Sequence, residues 1–305
     1  MSLNSLFYTM KPFIPRSTQI VLRRIIAKRK RRIYSHIWPI DPNAAKKPDG
    51  WQGWPDKKKF AFVLQHDVDT KAGHDKCDKL MELEQRYGLV SLFSIVPERY
   101  SVDKSLLNRI TDQGFDIAVH GLKHDGKLFL SERVFRESAI KINNYLKEWG
   151  SAGFTSPSMH SNPNWMHLLD IVYSTSTFDT DPFEPEPKGV GTIFPFYVRR
   201  DQNKNGYIEL PYTLPQDHLL FIILREKNID IWKKKLDWIA DNGGMALINT
   251  HPDYMDFSNR KPENESYPVR LYEEFLEYII KRYKDQYWLA LPKDVAQFWR
   301  EKMVK

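Results

Sequence analysis

The amino-acid sequence predicts an α/β protein, an irregular (β/α) barrel of about seven strands with a basic helix in front of it. Short apolar runs of strand length alternate with stretches of helix length through most of the chain, as parallel strands with crossover helices require. About seven such steps in about 245 residues suit a barrel better than an open doubly wound sheet. No glycine-rich nucleotide fingerprint follows any of these runs, which further weakens a dinucleotide-binding sheet.

With 305 residues, 41% hydrophobic and 13% aromatic, the chain can bury a substantial core. Its net charge of +7 would suit nucleic acid if it were spread over the fold. Residues 1–35, however, hold nine Lys or Arg and no acid, leaving 37 basic against 39 acidic residues in the remainder. The body is therefore close to neutral, and the basicity belongs to an arm, residues 1–40. The single cysteine, Cys77, excludes an internal disulfide and reads as a packed or solvated helix thiol.

Within the arm, Lys11, Pro12 and Pro15 interrupt the only early apolar stretch, so it does not read as a secretory signal and a cytoplasmic location is expected. From Thr18 to Tyr34 the residues TQIVLRRIIAKRKRRIY place Leu22, Ile25, Ile26 and Ile33 near one helical face, with Arg and Lys around the rest. Such a helix, over about residues 16–34, either makes peripheral contact with an anionic membrane or packs on its own domain with a solvated basic face. The basic run has no aromatic interleaving, and no nucleic-acid-binding signature accompanies it, so no nucleic-acid partner is expected. No apolar stretch is long enough to span a bilayer.

Residues 41–59, rich in Pro, Gly, Lys and Asp, read as a linker into a barrel over 60–305. Strand FAFVLQ is followed by a helix from about Lys71 to Tyr87, strand VSLFSIV, a helix over Lys104 to Gln113, strand FDIAV, and a helix over Glu132 to Trp149. Between Phe154 and Asp217 the pattern loosens into short strands, IFPFYV and YIELP. Regularity returns with a strand at LLFIIL, a helix from Asn228 to Asp241, strand MALIN, a helix from Arg270 to Tyr283, strand WLALP and a terminal helix.

Three polar motifs sit at the ends of strands: HDVD (His66 to Asp69), HGLKH (His120 to His124) and THPD (Thr250 to Asp253). In a β/α barrel the strand C-termini carry the chemistry, so the three can meet. His120 and His124, four apart, are expected on one face of a helical turn, a spacing used by zinc sites. The residue after His120 is Gly121 rather than Glu, so a base must come from elsewhere. Asp67 and Asp69 meet that need: one completes a two-histidine, one-carboxylate site with room for water, and the other takes the water's proton. His251 is then free to protonate a leaving group, or else caps its strand. His66 reads as structural. Gln216 and Asp217 either line the same mouth or form a turn or cap, and Asp217 and Pro157 are the candidate substrate contacts. Trp51, Trp54 and Trp165 stack on sugar or pack, and His160, His167 and His218 have no partner spacing.

The order of aspartates, then HxxxH, then a late strand ending in His-Pro resembles the polysaccharide deacetylase family, with its NodB homology domain, over about residues 60–295. The resemblance implies a carbohydrate deacetylase like those of carbohydrate esterase family 4. By position it implies Asp67 as base, Asp69, His120 and His124 as ligands of a divalent metal, most simply Zn2+, and His251 as acid; the two aspartates could also be reversed. It further implies an N-acetyl or N-formyl sugar of a surface glycan, or of its lipid-linked precursor, as substrate. In the segment Gly153 to Pro157, Thr155 stands where the family usually has an arginine that holds the base, and a hydroxyl cannot replace a two-pronged cation. Two rival readings follow: a catalytically silent glycan-binding relative, and a non-haem iron oxygenase, which a two-histidine, one-carboxylate triad also serves.

Overall fold

The computed structural model describes residues 15–184, 189–200, 206–258 and 265–304. The first part of the arm, with Lys11 and Pro12, lies outside the described residues. Strand β1 (Phe60–Val68) is buried along its whole length, which is why it reads as an almost unbroken apolar run. It pairs in parallel with β8 (Met245–Thr250) on one side, and on the other with β11 (Tyr287–Leu289) at its start and β2 (Leu92–Ile95) at its end. Beyond β2 come β3 (Asp116–His120), β4 (Gly153–Thr155), β5 (Tyr173–Ser174) and β7 (Tyr207–Glu209), all parallel. Past β7 the backbone amides of Thr213 and Leu214 donate to Leu247 O of β8, at 3.0 and 3.1 Å, so the wall curls back to its first side. The sheet has nine strands against about seven expected: β4 and β5 do not read as strands in the sequence, β11 does, and β6 (Phe196–Val198), at the expected run IFPFYV, adds an antiparallel edge on β7.

Helices cover the sheet through apolar stripes at helical spacing. Helix α4 (Lys104–Asp112) buries Leu106, Leu107 and Ile110, and α5 (Glu132–Trp149) buries Phe135, Ala139, Ile142 and Leu146. The bounds of α5 follow from its caps: the Ser131 hydroxyl accepts from Val134 N–H at 3.3 Å, and Gly150 ends the helix at φ 61°. Helices α7 (Asp230–Asn242), α8 (Arg270–Arg282) and α9 (Pro292–Met303) complete the expected pattern.

Two expected elements differ. The helix from Lys71 is split into α2 (Lys71–His74) and α3 (Cys77–Arg86). Between them Lys76 turns its ammonium toward three carbonyls, of Pro252, Asp253 and Met255, at 3.0, 3.1 and 2.9 Å. The run LLFIIL is a π-helical turn, His218–Ile223, rather than a strand. All five apolar residues from Leu219 to Ile223 are buried, so no periodicity separates strand from helix in the sequence. A short helix α6 (Pro163–Met166) and the small ladder of β9 (Met255–Asp256) with β10 (Tyr267–Pro268) carried no sequence signal.

The region read as a linker packs closely at the strand starts. Trp51 and Trp54 cluster with Phe298 and Trp299, with ring centroids within 6.2 Å, and the Trp54 indole donates to Gly243 O at 2.9 Å. Trp165 stacks parallel to Phe129. Packing therefore accounts for all three tryptophans. The arm forms helix α1 (Arg16–Ile33), which lies on the π turn with Ile20 and Ala27 buried. Arg24 Nε donates to Ile222 O at 3.0 Å, Lys30 Nζ to Pro182 O at 2.7 Å, and Arg31 pairs with Glu226. The stripe of Leu22, Ile25, Ile26 and Ile33 is exposed on the other side.

Trp54→Ala is expected to lower stability by about 3–5 kcal/mol through the cavity it leaves. The polar strand ends lie at the opposite end of the barrel, so metal binding by the folded variant should be unchanged. Urea unfolding beside metal analysis checks both.

Candidate active site

Side chains on one face of a strand recur every second residue, and β1 therefore sends Gln65 and Asp67 the same way, with Asp69 just past its end. The β1–β8 register pairs Gln65 with Asn249 and His66 with Thr250, which sets His251 beside Asp67 at the mouth. From the other side His120 ends β3, next to Thr155 of β4.

Asp69 Oδ1 lies 3.3 Å from His120 Nε2 and 3.2 Å from His124 Nε2. Ligand atoms of these three residues all fall within 4.8 Å of one another. The HGLKH segment is not the expected helical turn. It is a loop in which Gly121 (φ 60°) and His124 (φ 52°) both take the left-handed conformation and so turn the two imidazoles together. A Cβ at residue 121 would stand 2.4 Å from Pro157 Cγ, so the glycine is required by space as well as by φ. The Nδ1–H of His120 donates to Thr155 O at 3.1 Å, leaving its Nε2 lone pair toward Asp69.

Whether these residues suit a divalent cation can be judged from their own charges. Asp69 Oδ1 is buried and accepts no hydrogen bond among the described residues. Burial alone would raise the Asp69 carboxyl, but His124 and then His120 hold it well below the usual carboxylate range. Burial lowers His124 from its ordinary value, so that it gives up its proton more readily than a free imidazole. Burial also opposes a charge on His120, yet Asp67 and then Asp69 outweigh it and raise the group. The space between these side chains thus favours added positive charge, and two imidazole nitrogens with one carboxylate oxygen fit zinc or a similar ion.

Asp67 is buried and stands slightly apart, 3.8 Å from His120 Nε2. Its Oδ1 accepts from Gln65 Nε2 at 3.1 Å and its Oδ2 from Asn249 Nδ2 at 2.7 Å. Gln65 Nε2 also reaches Thr155 Oγ1 at 3.2 Å. Two neutral amides therefore hold the carboxylate where a guanidinium was expected. Neither was singled out from the sequence, although each is a polar residue inside an apolar strand, FAFVLQHDV and MALINT.

Asp217, a candidate substrate contact by sequence, is fully buried and has a different place. Its oxygens accept from His251 Nδ1–H (2.7 Å), His251 N–H (2.8 Å) and Tyr267 O–H (3.0 Å). Burial would lower His251, but the Asp217 carboxylate lifts it to about 10. The imidazolium is thus the stable form at neutral pH. The His251 loop is secured by Lys76 and by Asp253, whose Oδ2 accepts from Asp69 N–H at 3.0 Å. A Cβ at residue 73 would lie 2.2 Å from that oxygen, which explains Gly73.

His66 points away from the mouth, between Thr250 Oγ1 (2.7 Å) and Glu84 Oε1 (2.8 Å), as a structural residue. Beside His124 a cavity of about 300 Å³ opens, lined by Leu122, Leu128, Phe129, Val134 and Pro157 with Lys141 among its polar walls. His160 also lines it. The ring of His218 lies 4.9 Å from Tyr254, and that of His167 5.6 Å from Tyr207.

Comparison with solved structures adds the family of the fold. A protein assigned as a polysaccharide deacetylase from Mycobacterium smegmatis matches with a TM-score of 0.64 at 16% identity, covering 85% of this chain and 96% of that one. The chain has the polysaccharide deacetylase fold. A second such protein, from Pseudomonas aeruginosa PAO1, matches with a TM-score of 0.64 at 16% identity, over 87% and 99% of the two chains. Puue allantoinase matches with a TM-score of 0.64 at 15% identity, over 88% and 99%. The polysaccharide deacetylase fold is thus shared with an allantoinase and does not by itself fix a substrate. No protein-family model matches the chain, and no curated protein matches it in sequence.

Two outcomes are expected at this site. Purified protein should take up about one zinc per chain, and Asp69→Ala and His120→Ala should each lose it, as metal analysis will read. Asp217→Asn should return the His251 titration from about 10 toward the ordinary 6.5, which NMR of the imidazole resolves. Because the folded value lies above the unfolded one, the pair's stabilisation is complete below about 6.5 and is lost as pH rises through about 10. The cost of Asp217→Asn, about 3–5 kcal/mol for breaking a buried pair, should therefore be largest near pH 6 and shrink toward pH 10.

Proposed function

We propose that the protein is a metal-dependent hydrolase, a divergent polysaccharide deacetylase that removes an acetyl or formyl group from an amino sugar. The observation that carries this reading is the approach of Asp69 Oδ1 to both His120 and His124 Nε2, within 3.3 Å, at a mouth that also holds Asp67 and His251. The substrate belongs to a surface polysaccharide or its lipid-linked precursor and is handled at the cytoplasmic side.

Asp69, His120 and His124 hold the metal, most simply Zn2+, which when bound supplies a polarised acyl carbonyl and a water of lowered pKa. Asp67, kept in place by Gln65 and Asn249, takes a proton from the attacking water. The new C–O bond forms as that proton leaves. His251, kept protonated by Asp217, gives its proton to the sugar nitrogen as the C–N bond breaks. Acetate or formate and a free amino sugar depart. The cavity beside His124, with Phe129 and Pro157 in its lining, gives the sugar an apolar surface to lie on. The missing arginine does not silence the site in this reading, because Asp67 already has a donor on each oxygen.

The test is release of acetate or formate by zinc-loaded protein from N-acetyl and N-formyl amino-sugar glycans. Asp67→Asn and His251→Ala should each lower kcat by about 10²- to 10⁴-fold while zinc content is kept. Zinc and glycan binding without turnover in the unaltered protein would sink the enzymatic reading and leave a silent glycan-binding relative. Stoichiometric iron with oxygen consumption would replace it with redox chemistry.

A further inference from the structure

Helix α1 docks by one face and leaves the other uncovered. Ile20 and Ala27 are buried, and Arg24, Lys30 and Arg31 are engaged by Ile222 O, Pro182 O and Glu226. At about 100° per residue the opposite face carries Val21, Leu22, Ile25, Ile26 and Ile33, which are 43–61% exposed. Nine large apolar side chains are exposed among the described residues, and five of them lie on this one helix. Such concentration marks a docking surface rather than scatter. Lys28, Arg29 and Arg32 are exposed among them, and the helix has no acid.

We infer that this face of α1 lies in the interface of an anionic lipid bilayer, with the five aliphatic side chains inserted and Lys28, Arg29 and Arg32 level with the headgroups. Charge complementarity selects this occupant. A second copy of the same face would set three cations against three cations with no carboxylate to neutralise them. Nucleic acid would meet the charge but gain nothing from five aliphatic side chains, since base stacking needs aromatic ones. A bilayer satisfies both halves, taking up apolar area and repaying cations with lipid phosphate. The helix does not have to leave the domain to bind. Its seat is the π turn that follows Asp217, so the bilayer-facing helix is fixed to the segment that holds His251. Membrane binding stands independently of the proposed reaction.

The test is flotation of the full-length protein with vesicles of phosphatidylcholine alone and of phosphatidylcholine with phosphatidylglycerol, without substrate. The protein should bind the anionic vesicles at least about tenfold better than the neutral ones. A variant with Leu22→Ser, Ile25→Ser, Ile26→Ser and Ile33→Ser, and a second with Lys28→Glu, Arg29→Glu and Arg32→Glu, should each bind about tenfold more weakly or worse. All these side chains point outward, so the melting temperature should not fall; the single Ile25→Ser change provides a check if the fourfold variant melts early. No binding to anionic vesicles, or full binding by the serine variant, would overturn the inference. So would a wild-type dimer that becomes monomeric on serine substitution while vesicles bind neither. Because no turnover is measured, either result leaves the hydrolase assay to be decided on its own.

Discussion

Two carboxylates at the C-terminal end of a buried strand are what the rest of this molecule has to accommodate. Asp67 and Asp69 leave water at the tip of β1, and a buried carboxylate is tolerated only when donors or positive charge meet it. The protein answers them differently. Asp69 faces two imidazoles, whereas Asp67 is met by two side-chain amides. Each answer recruits a separate strand: β3 and its following loop bring the histidines, and β8 brings Asn249 and His251.

The two answers divide the labour. A carboxylate between imidazoles has no proton donor of its own and is suited to share a cation. A carboxylate held by neutral amides receives hydrogen bonds without a compensating charge, since an amide donates hydrogen bonds but no net charge. A guanidinium in the same place would neutralise the group it positions. With Gln65 and Asn249 each donating to one of its oxygens, Asp67 is not left without support by Thr155 standing where the resemblance implies an arginine.

Much of this architecture was legible because strand and helix periods leave strong marks. The β1, β3 and β8 runs and helix α5 read directly from apolar spacing. Legibility failed where the chain is apolar on every side, as in the π turn, and where one residue's tertiary contact breaks a local pattern, as Lys76 does between α2 and α3. At the mouth the charged residues stood out in sequence, but their geometry did not. His120 and His124 are four apart without being helical, because a left-handed glycine and a left-handed histidine bring the rings together instead. Gln65 and Asn249 escaped, and Asp217 was read as a substrate contact rather than as the partner of His251, because the pairings Gln65–Thr155, Asn249–Asp67 and Asp217–His251 span 90, 182 and 34 residues of sequence, which no local pattern encodes.

The His251 loop shows how such long-range pairings become a single device. Lys76 gathers three of its carbonyls, Asp253 ties it to the backbone of Asp69, and Asp217 grips His251 at both its ring and its amide. His251 is consequently positioned by the same element that positions the end of β1, so Asp69, Asp67 and His251 cannot drift independently. Substitutions that loosen Lys76 or enlarge Gly73 act on this alignment without touching any of these three side chains. The π turn extends the same linkage outward: it starts beside Asp217 and ends under α1, which joins the buried mouth to the exposed apolar face of α1.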